Sequence, residues 1–144
     1  MQVFLDTSVL LAGLVVHHPH YPQASAVLRR TVSGSDQGYI STHSLAEAYA
    51  VLTRLPLKPA IHSTEAVAMI EQNVIAHCET IELSAGEYMA VLSTAGERGW
   101  RGGSIYDALI LECARKVRPK RIYTFNLRDF HRLAPDLSDR ICSP

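Results

Sequence analysis

The stretch Gln2-Val-Phe-Leu-Asp6-Thr7-Ser8 decides the fold. Val3, Phe4 and Leu5 form an apolar run with no polar alternation. That is the pattern of a short strand covered on both faces, typical of a parallel sheet. The run stops at a carboxylate followed by two hydroxyls. Open α/β sheets gather ligands beyond the carboxyl ends of their strands, which is where Asp6 falls. A buried acid is costly unless a cation meets it. A metal ion, shared with acids from later in the chain, would meet that need.

Working outward, Ser8 to Val16 is predicted as a short helix, broken by Pro19 and Pro22 in His17-His-Pro-His-Tyr-Pro22, since proline cannot donate within a helix. A second helix runs from Gln23 to Val32, and Gly34-Ser-Asp-Gln-Gly38 turns the chain into a strand at Tyr39-Ile40. Leu45, Ala48, Leu52 and Leu55 share one face of a helix predicted over 41–55, which Pro56 and Pro59 end. Another helix starts at Ser63, which is expected to cap it, and carries Val67, Ile70 and Val74. Thr80 to Leu83 is predicted as the third strand. Ser84 and Glu87 have capping-box spacing before a helix to Arg98. Ser104 to Val117 is a strongly apolar helix. Ile122 to Phe125 is the fourth strand, Asn126 to Leu133 a turn or short helix, and Arg140-Ile141 a small last strand. Strands separated by helices point to a doubly wound parallel sheet with helices on both faces.

The chain has 144 residues, a length that fits a single domain over 1–144 with no linker to divide it. With 47% apolar and 19% charged residues it is globular rather than disordered. Cys78, Cys113 and Cys142 are odd in number and lack C-x-x-C spacing. This argues against a disulfide framework or zinc ribbon and fits a reducing cytoplasm. Val9 to Val16 is too short to span a bilayer and lacks the basic flank of a signal peptide, so no membrane association is expected. Net charge is zero, but residues 1–96 carry four Lys/Arg against eight Asp/Glu, and residues 97–144 carry ten against six. A basic surface built from the last third can steer an anion even though the total cancels.

Four acids stand out by position: Asp6 after the first strand, Glu47 near a helix start, Asp107 in the first turn of the apolar helix, and Asp129 beyond the fourth strand. Each has a plainer role open to it. Ser44 with Glu47 and Ser104 with Asp107 are spaced as capping boxes, Asp6 can cap the helix after it, and Asp129 can serve a turn. Together they weigh differently. Asp107 shares its helix face with Ile110, Leu111 and Ala114. A strand order that reverses between the first and fourth strands brings Asp6 and Asp129 to one crevice. Carboxylates about 5 Å apart at an effective dielectric of about 20 repel by roughly 3 kcal/mol per pair. Several such pairs rival a whole domain's stability of roughly 5–15 kcal/mol. Such a cluster must take up protons or a cation, and oxygen ligands favour Mg²⁺ or Mn²⁺.

With these residues in view the chain resembles the PIN-domain ribonucleases, specifically VapC-type toxins of bacterial toxin–antitoxin pairs. The likeness is carried by Phe4-Leu-Asp-Thr-Ser-Val-Leu10, Ser44-Leu-Ala-Glu47, Tyr106-Asp-Ala-Leu-Ile110 and Thr124-Phe-Asn-Leu-Arg-Asp-Phe130, in the family's order over nearly the full chain. His18-Pro-His-Tyr-Pro-Gln-Ala24 is similar to the family's loop between its first two helices. The resemblance implies a three-layer α/β sandwich whose small parallel sheet has the order 3-2-1-4-5. It implies that Asp6, Glu47 and Asp107 bind the metal, with Asp129 as the less uniform fourth acid. Thr7, Ser8, Thr124 and Asn126 match supporting polar positions, and Asn126 and Asp129 compete for the place facing the metal. The implied activity is Mg²⁺-dependent hydrolysis of RNA by an endoribonuclease, with a cognate antitoxin and a homodimer as partners. The apolar helices Leu45–Leu57 and Val67–Val74 are candidate contact surfaces. The alternative is a PIN-like module that binds nucleic acid or protein without cleavage.

The absence of G-x-S-x-G and of a P-loop speaks against serine chemistry and nucleotide cradling. Arg98, Arg101 and Arg128 fall in loops near the expected site and can meet phosphates by charge-assisted bonds; solvation alone also explains them. Trp100 and Tyr106 can stack a base or simply pack. His17, His18 and His20 match no zinc spacing, and His131, just past the fourth acid, is a weaker candidate RNA contact.

Overall fold

The computed structural model describes residues 1–144. Its elements alternate along the chain: β1 (Gln2–Leu5), α1 (Thr7–Leu14), α2 (Tyr21–Val32), β2 (Gln37–Ser41), α3 (Thr42–Arg54), α4 (Ser63–Ile70), β3 (Cys78–Ile81), α5 (Ala85–Arg98), α6 (Ser104–Val117), β4 (Arg121–Tyr123), α7 (Leu127–Leu133) and β5 (Ile141–Cys142). A π-helical turn, Glu71–Ile75, extends α4, and a 3₁₀ turn, Pro135–Leu137, follows α7. The five strands form one sheet in the order β3-β2-β1-β4-β5, and every pairing is parallel.

Because β1 is central, both its faces are covered. Val3 and Leu5 pack with Val9, Leu10, Val27, Leu28 and Ile40 on the side of α1 and α2. Phe4 points the other way, onto Tyr39, Ile110, Leu111, Ile122 and Phe130, beneath α6 and α7. Hence the unbroken apolar run. A smaller cluster joins Val15, Ala48, Leu52, Ala66 and Ile70 between α3 and α4. Successive crossovers step outward from β1 through β2 to β3, then return to its other side for β4 and β5. The order therefore reverses at β1, opening a crevice beyond Leu5 and its neighbour Tyr123.

Local signals behave as their chemistry dictates, with some shifts. Ser84 and Glu87 make the reciprocal capping box at α5, and Gly99 closes that helix at φ +69°. α4 is capped by His62, whose ring accepts the Thr64 amide, and not by Ser63. α6 begins behind Gly103 with no side-chain cap, so the Ser104–Asp107 spacing is not a capping box. α3 is capped by Ser41, which accepts the Ser44 amide at 3.2 Å. Glu47 therefore lies one turn beyond the capped end, released from any capping role. β3 starts at Cys78 and ends at Ile81, earlier than expected, because its register is set by pairing with Gly38–Ser41. β4 ends at Tyr123, where Thr124 turns its hydroxyl to Asp6.

Candidate active site

Asp6 is the buried anchor, 4% exposed at the mouth of the crevice. Its backbone carbonyl starts α1 by accepting the amides of Val9 and Leu10. Its carboxylate instead faces sideways: Oδ2 accepts the Ser8 hydroxyl at 2.7 Å and the Thr124 hydroxyl at 2.8 Å. The β1–β4 register makes this possible, since Leu5 pairs Tyr123 and the next residues meet across the gap. Thr124 Oγ1 also accepts the Asn126 amide at 2.9 Å, and Ser8 Oγ accepts the Phe125 amide at 3.1 Å. The loop after β4 is thus clamped to the start of α1. Thr7 takes no part in that clamp. Its hydroxyl donates to Ser44 Oγ at 2.9 Å, tying α1 to the start of α3.

Glu47 projects from α3 with Oε2 3.1 Å from His43 Nε2, one turn back. Asp107 projects from the first turn of α6, and its Oδ2 accepts the Asn126 side-chain amide at 2.9 Å. Asp129, in α7, lies 3.6 Å from Arg132 Nη2; the same guanidinium group donates to Ser104 Oγ at 3.1 Å. The acids feel one another. Burial raises the Asp107 carboxyl to about 7, helped by the charges of Asp6, Glu47 and Asp129 and opposed by Asn126. Burial also raises Glu47, with the charge of Asp6 adding to it and His43 opposing. Asp6 is raised by burial, partly offset by Ser8, Thr124 and the first amides of α1. Four segments far apart in sequence have brought their negative charges into one field.

The donor set is all oxygen, which suits a hard divalent cation. As the side chains stand, no three His, Cys, Asp or Glu groups are gathered tightly enough to hold an ion. Each of Asp107 and Glu47 spends one oxygen on a neighbour, Asn126 or His43. Their other oxygens receive no hydrogen bond, so they remain available as ligands. Raised carboxyl groups with one free oxygen each are the electrostatic mark of a cluster that gains by cation binding.

The remaining sequence candidates divide. Arg101 and Arg128 are exposed, beside α6 and on α7. Arg98 lies 5.8 Å over the Trp100 ring and lines a separate cleft between α5, α6 and α7 that none of the four acids borders. Trp100 packs between the core clusters, and Tyr106 is 52% exposed with its ring stacked 5.0 Å from His43. His20 stacks on Phe125 at 4.5 Å, so the histidine loop abuts the loop after β4. His131 contacts Ser138. Sequence reading misses His43 and Arg132, and it gives Ser44 a capping role with Glu47 where the structure bonds it to Thr7 and Ser41. The i,i+4 spacing of His43 to Glu47 and the i,i+3 spacing of Arg132 to Asp129 were available signals.

A PIN-domain model matches residues 3–135, a span that holds all four acids. The chain belongs to the PIN-domain family. Within it the likeness is to VapC-type proteins. The chain is 32% identical over 123 residues to Ribonuclease VapC40 of Mycobacterium tuberculosis, covering 85% of each. Among solved structures it superposes on M. tuberculosis VapC20, a "Sarcin-Ricin loop cleaving toxin", with TM-score 0.68 and 20% identity over 88% of this chain and 92% of that one. It superposes on VapBC2 of Rickettsia felis, bound to a promoter DNA fragment, with TM-score 0.67 and 18% identity over 99% and 98%. At those identities the structural matches speak for the PIN fold alone.

Proposed function

We propose that this PIN-domain protein is a divalent-metal-dependent endoribonuclease and the toxin of a toxin–antitoxin pair. The observation that carries the reading is that Asp6 lies at the crevice where the strand order reverses and that the charges of Asp6, Glu47 and Asp129 all bear on Asp107. The ribonuclease name of the relative covering 85% of the chain supports the substrate class. Asp6, Asp107 and Glu47 would hold a divalent ion, Mg²⁺ or Mn²⁺, with Asp129 beside them. Such an ion supplies an activated water and neutralises charge developing on a phosphodiester. The chain's own residues set the stage. Ser8 and Thr124 fix the Asp6 carboxylate, Asn126 orients Asp107, and His43 steadies Glu47. Thr7, through Ser44, keeps α1 and α3 in register. Arg101 and Arg128 are offered as phosphate contacts at the rim, and Arg98, in the neighbouring cleft, as a more distant one.

A cognate antitoxin and a homodimer complete the proposal. The VapBC2 assembly of R. felis and FitAcB of Neisseria gonorrhoeae, the latter superposing at TM-score 0.58 with 17% identity over 89% and 90% of the chains, share this fold and lend support to the antitoxin; the homodimer is proposed from the family resemblance alone. Of the two helices singled out for contacts, Leu52 and Val74 are committed to the core, while Tyr49 and Val67 are 39% and 44% exposed. No helix is long and apolar enough to cross a membrane; action on RNA in the cytoplasm is part of the proposal. Binding without cleavage is the second reading. Incubation with total cellular RNA separates the two. Cleavage that EDTA stops and Asp6→Asn removes supports the enzyme; tight binding with RNA left intact under Mg²⁺ and Mn²⁺ supports the module.

A further inference from the structure

The excess of basic residues in the last third of the chain gathers at the end of the sheet opposite the acids. Arg118 and Lys120 come from the turn between α6 and β4, Arg121 starts β4, and Arg140 precedes β5. They border a concavity of about 580 Å³ with a single acid, Asp139. The seven ion pairs of the molecule include none of these four cations. The cluster is held in place: the Lys120 backbone amide donates to Gln2 O at 2.9 Å, and the Arg140 side chain, through Nη1, donates to Pro119 O at 3.2 Å. Arg118 adds an independent observation. It ends α6 at φ +49° and is the only non-glycine residue with positive φ. Glycine is the low-energy choice at that position, so an arginine there is conformationally strained.

We propose that this edge is a second contact for the phosphate backbone of RNA, one that rests on the ribonuclease reading and extends it to long or folded substrates. Four unpaired cations against one acid make a local positive field in a molecule of zero net charge. Three residues of β4 and its extension separate Arg121 from Thr124 at the acid end. That is roughly 10 Å at about 3.3 Å per residue, or about three nucleotide steps at about 3.4 Å rise. That line runs through a sheet covered by helices on both faces, so an RNA reaching both ends must pass around those helices. A long or folded RNA can do so, while a strand of about two or three nucleotides held at the acids cannot.

The test measures fluorescence anisotropy of a stem-loop RNA in EDTA over a range of NaCl, alongside Mg²⁺-dependent cleavage of a short single strand. Wild type is compared with Arg118→Gly and with Lys120→Ala/Arg121→Ala. The salt slope should fall by about 0.7–0.9 per cation removed and the affinity roughly three- to tenfold near 0.1 M salt. Cleavage of the short strand should not change. Arg118→Gly should melt no lower than wild type, because it relieves the left-handed residue, so its loss of affinity cannot come from misfolding. Unchanged slope and affinity in both variants, with cleavage intact, overturn the edge proposal alone. Edge-dependent binding of duplex DNA but not RNA overturns it too. Absence of cleavage in every protein, wild type included, overturns the ribonuclease reading instead.

Discussion

Asp107 shows most directly what the cluster costs. Its folded form keeps the proton up to about pH 7, while the unfolded chain releases it near 3.8. Between those values the folded state binds more protons, so stability is highest at the acid end of the interval and falls as pH rises through it. Asp107 is half-buried, and after allowance for solvent screening the penalty above pH 7 is about 1–2 kcal/mol. Asp107→Asn should therefore raise the melting temperature of metal-free protein at pH 7.5 by roughly 3–8 °C. It should also flatten the dependence between pH 5 and 8, as calorimetry in EDTA would record. A variant that melts lower at pH 7.5 would mean the acids do not repel. Thr124→Val tests the opposite need. It keeps the shape but removes the donor to Asp6 and the acceptor for the Asn126 amide. The expected loss is about 1–3 kcal/mol in urea unfolding, together with slower RNA cleavage.

At the scale of elements, the joints of the fold are set by small local chemistries. Ser84→Ala removes one half of the α5 capping box and should cost about 1 kcal/mol, with no effect on cleavage, since α5 holds none of the four acids. β2 and β3 are pressed together at Gly38, where a Cβ would meet Cys78 Sγ at 2.7 Å and Thr31 Cγ2 at 2.8 Å. Gly38→Ala should destabilise by roughly 1–3 kcal/mol through overpacking, measured as a lower urea midpoint at constant slope. α6 was read from its periodicity to the same bounds the structure has, Ser104–Val117, because its apolar face is strong and Pro119 stops it. For β4 the sequence predicts a strand to Phe125, since Thr124 and Phe125 look strand-forming, but the strand ends at Tyr123. Their polar partners are Asp6, just before α1, and Ser8, in its first turn, contacts that propensity does not contain.

For the whole molecule the decisive arrangement is the reversal of strand order at β1, which ties Asp6 to the loop after β4 and leaves acids up to about 120 residues apart in chain within reach of one another's charge. If they bind a divalent ion, the ion stabilises the native state by mass action. Mg²⁺ or Mn²⁺ at about 100 times the dissociation constant should add about 2.7 kcal/mol, raising the melting temperature at pH 7.5. Asp6→Asn should abolish most of that rise. A rise of equal size in the variant would place the ion elsewhere. This thermal readout does not depend on finding the RNA that is cut.

By itself the sequence determined that β1 is buried on both faces, that the fold is α/β with parallel strands, and that four acids at element ends were worth attention. Those are consequences of hydrophobic period, turn residues and caps, which act over a few residues and can be read from a few residues. The likeness of short motifs also pointed to the family before any coordinates. Only the tertiary structure decided which neighbours three of these acids meet. Asp107 turns from capping to Asn126, Glu47 meets His43 beyond a helix that Ser41 caps, and Asp6 is held by a hydroxyl from β4's end. It alone separated Arg98 from the acids and collected Arg118, Lys120, Arg121 and Arg140 at the opposite edge. The reason is physical: charge–charge and side-chain hydrogen-bond partners are chosen by distance in space, and that distance is fixed by strand order and register.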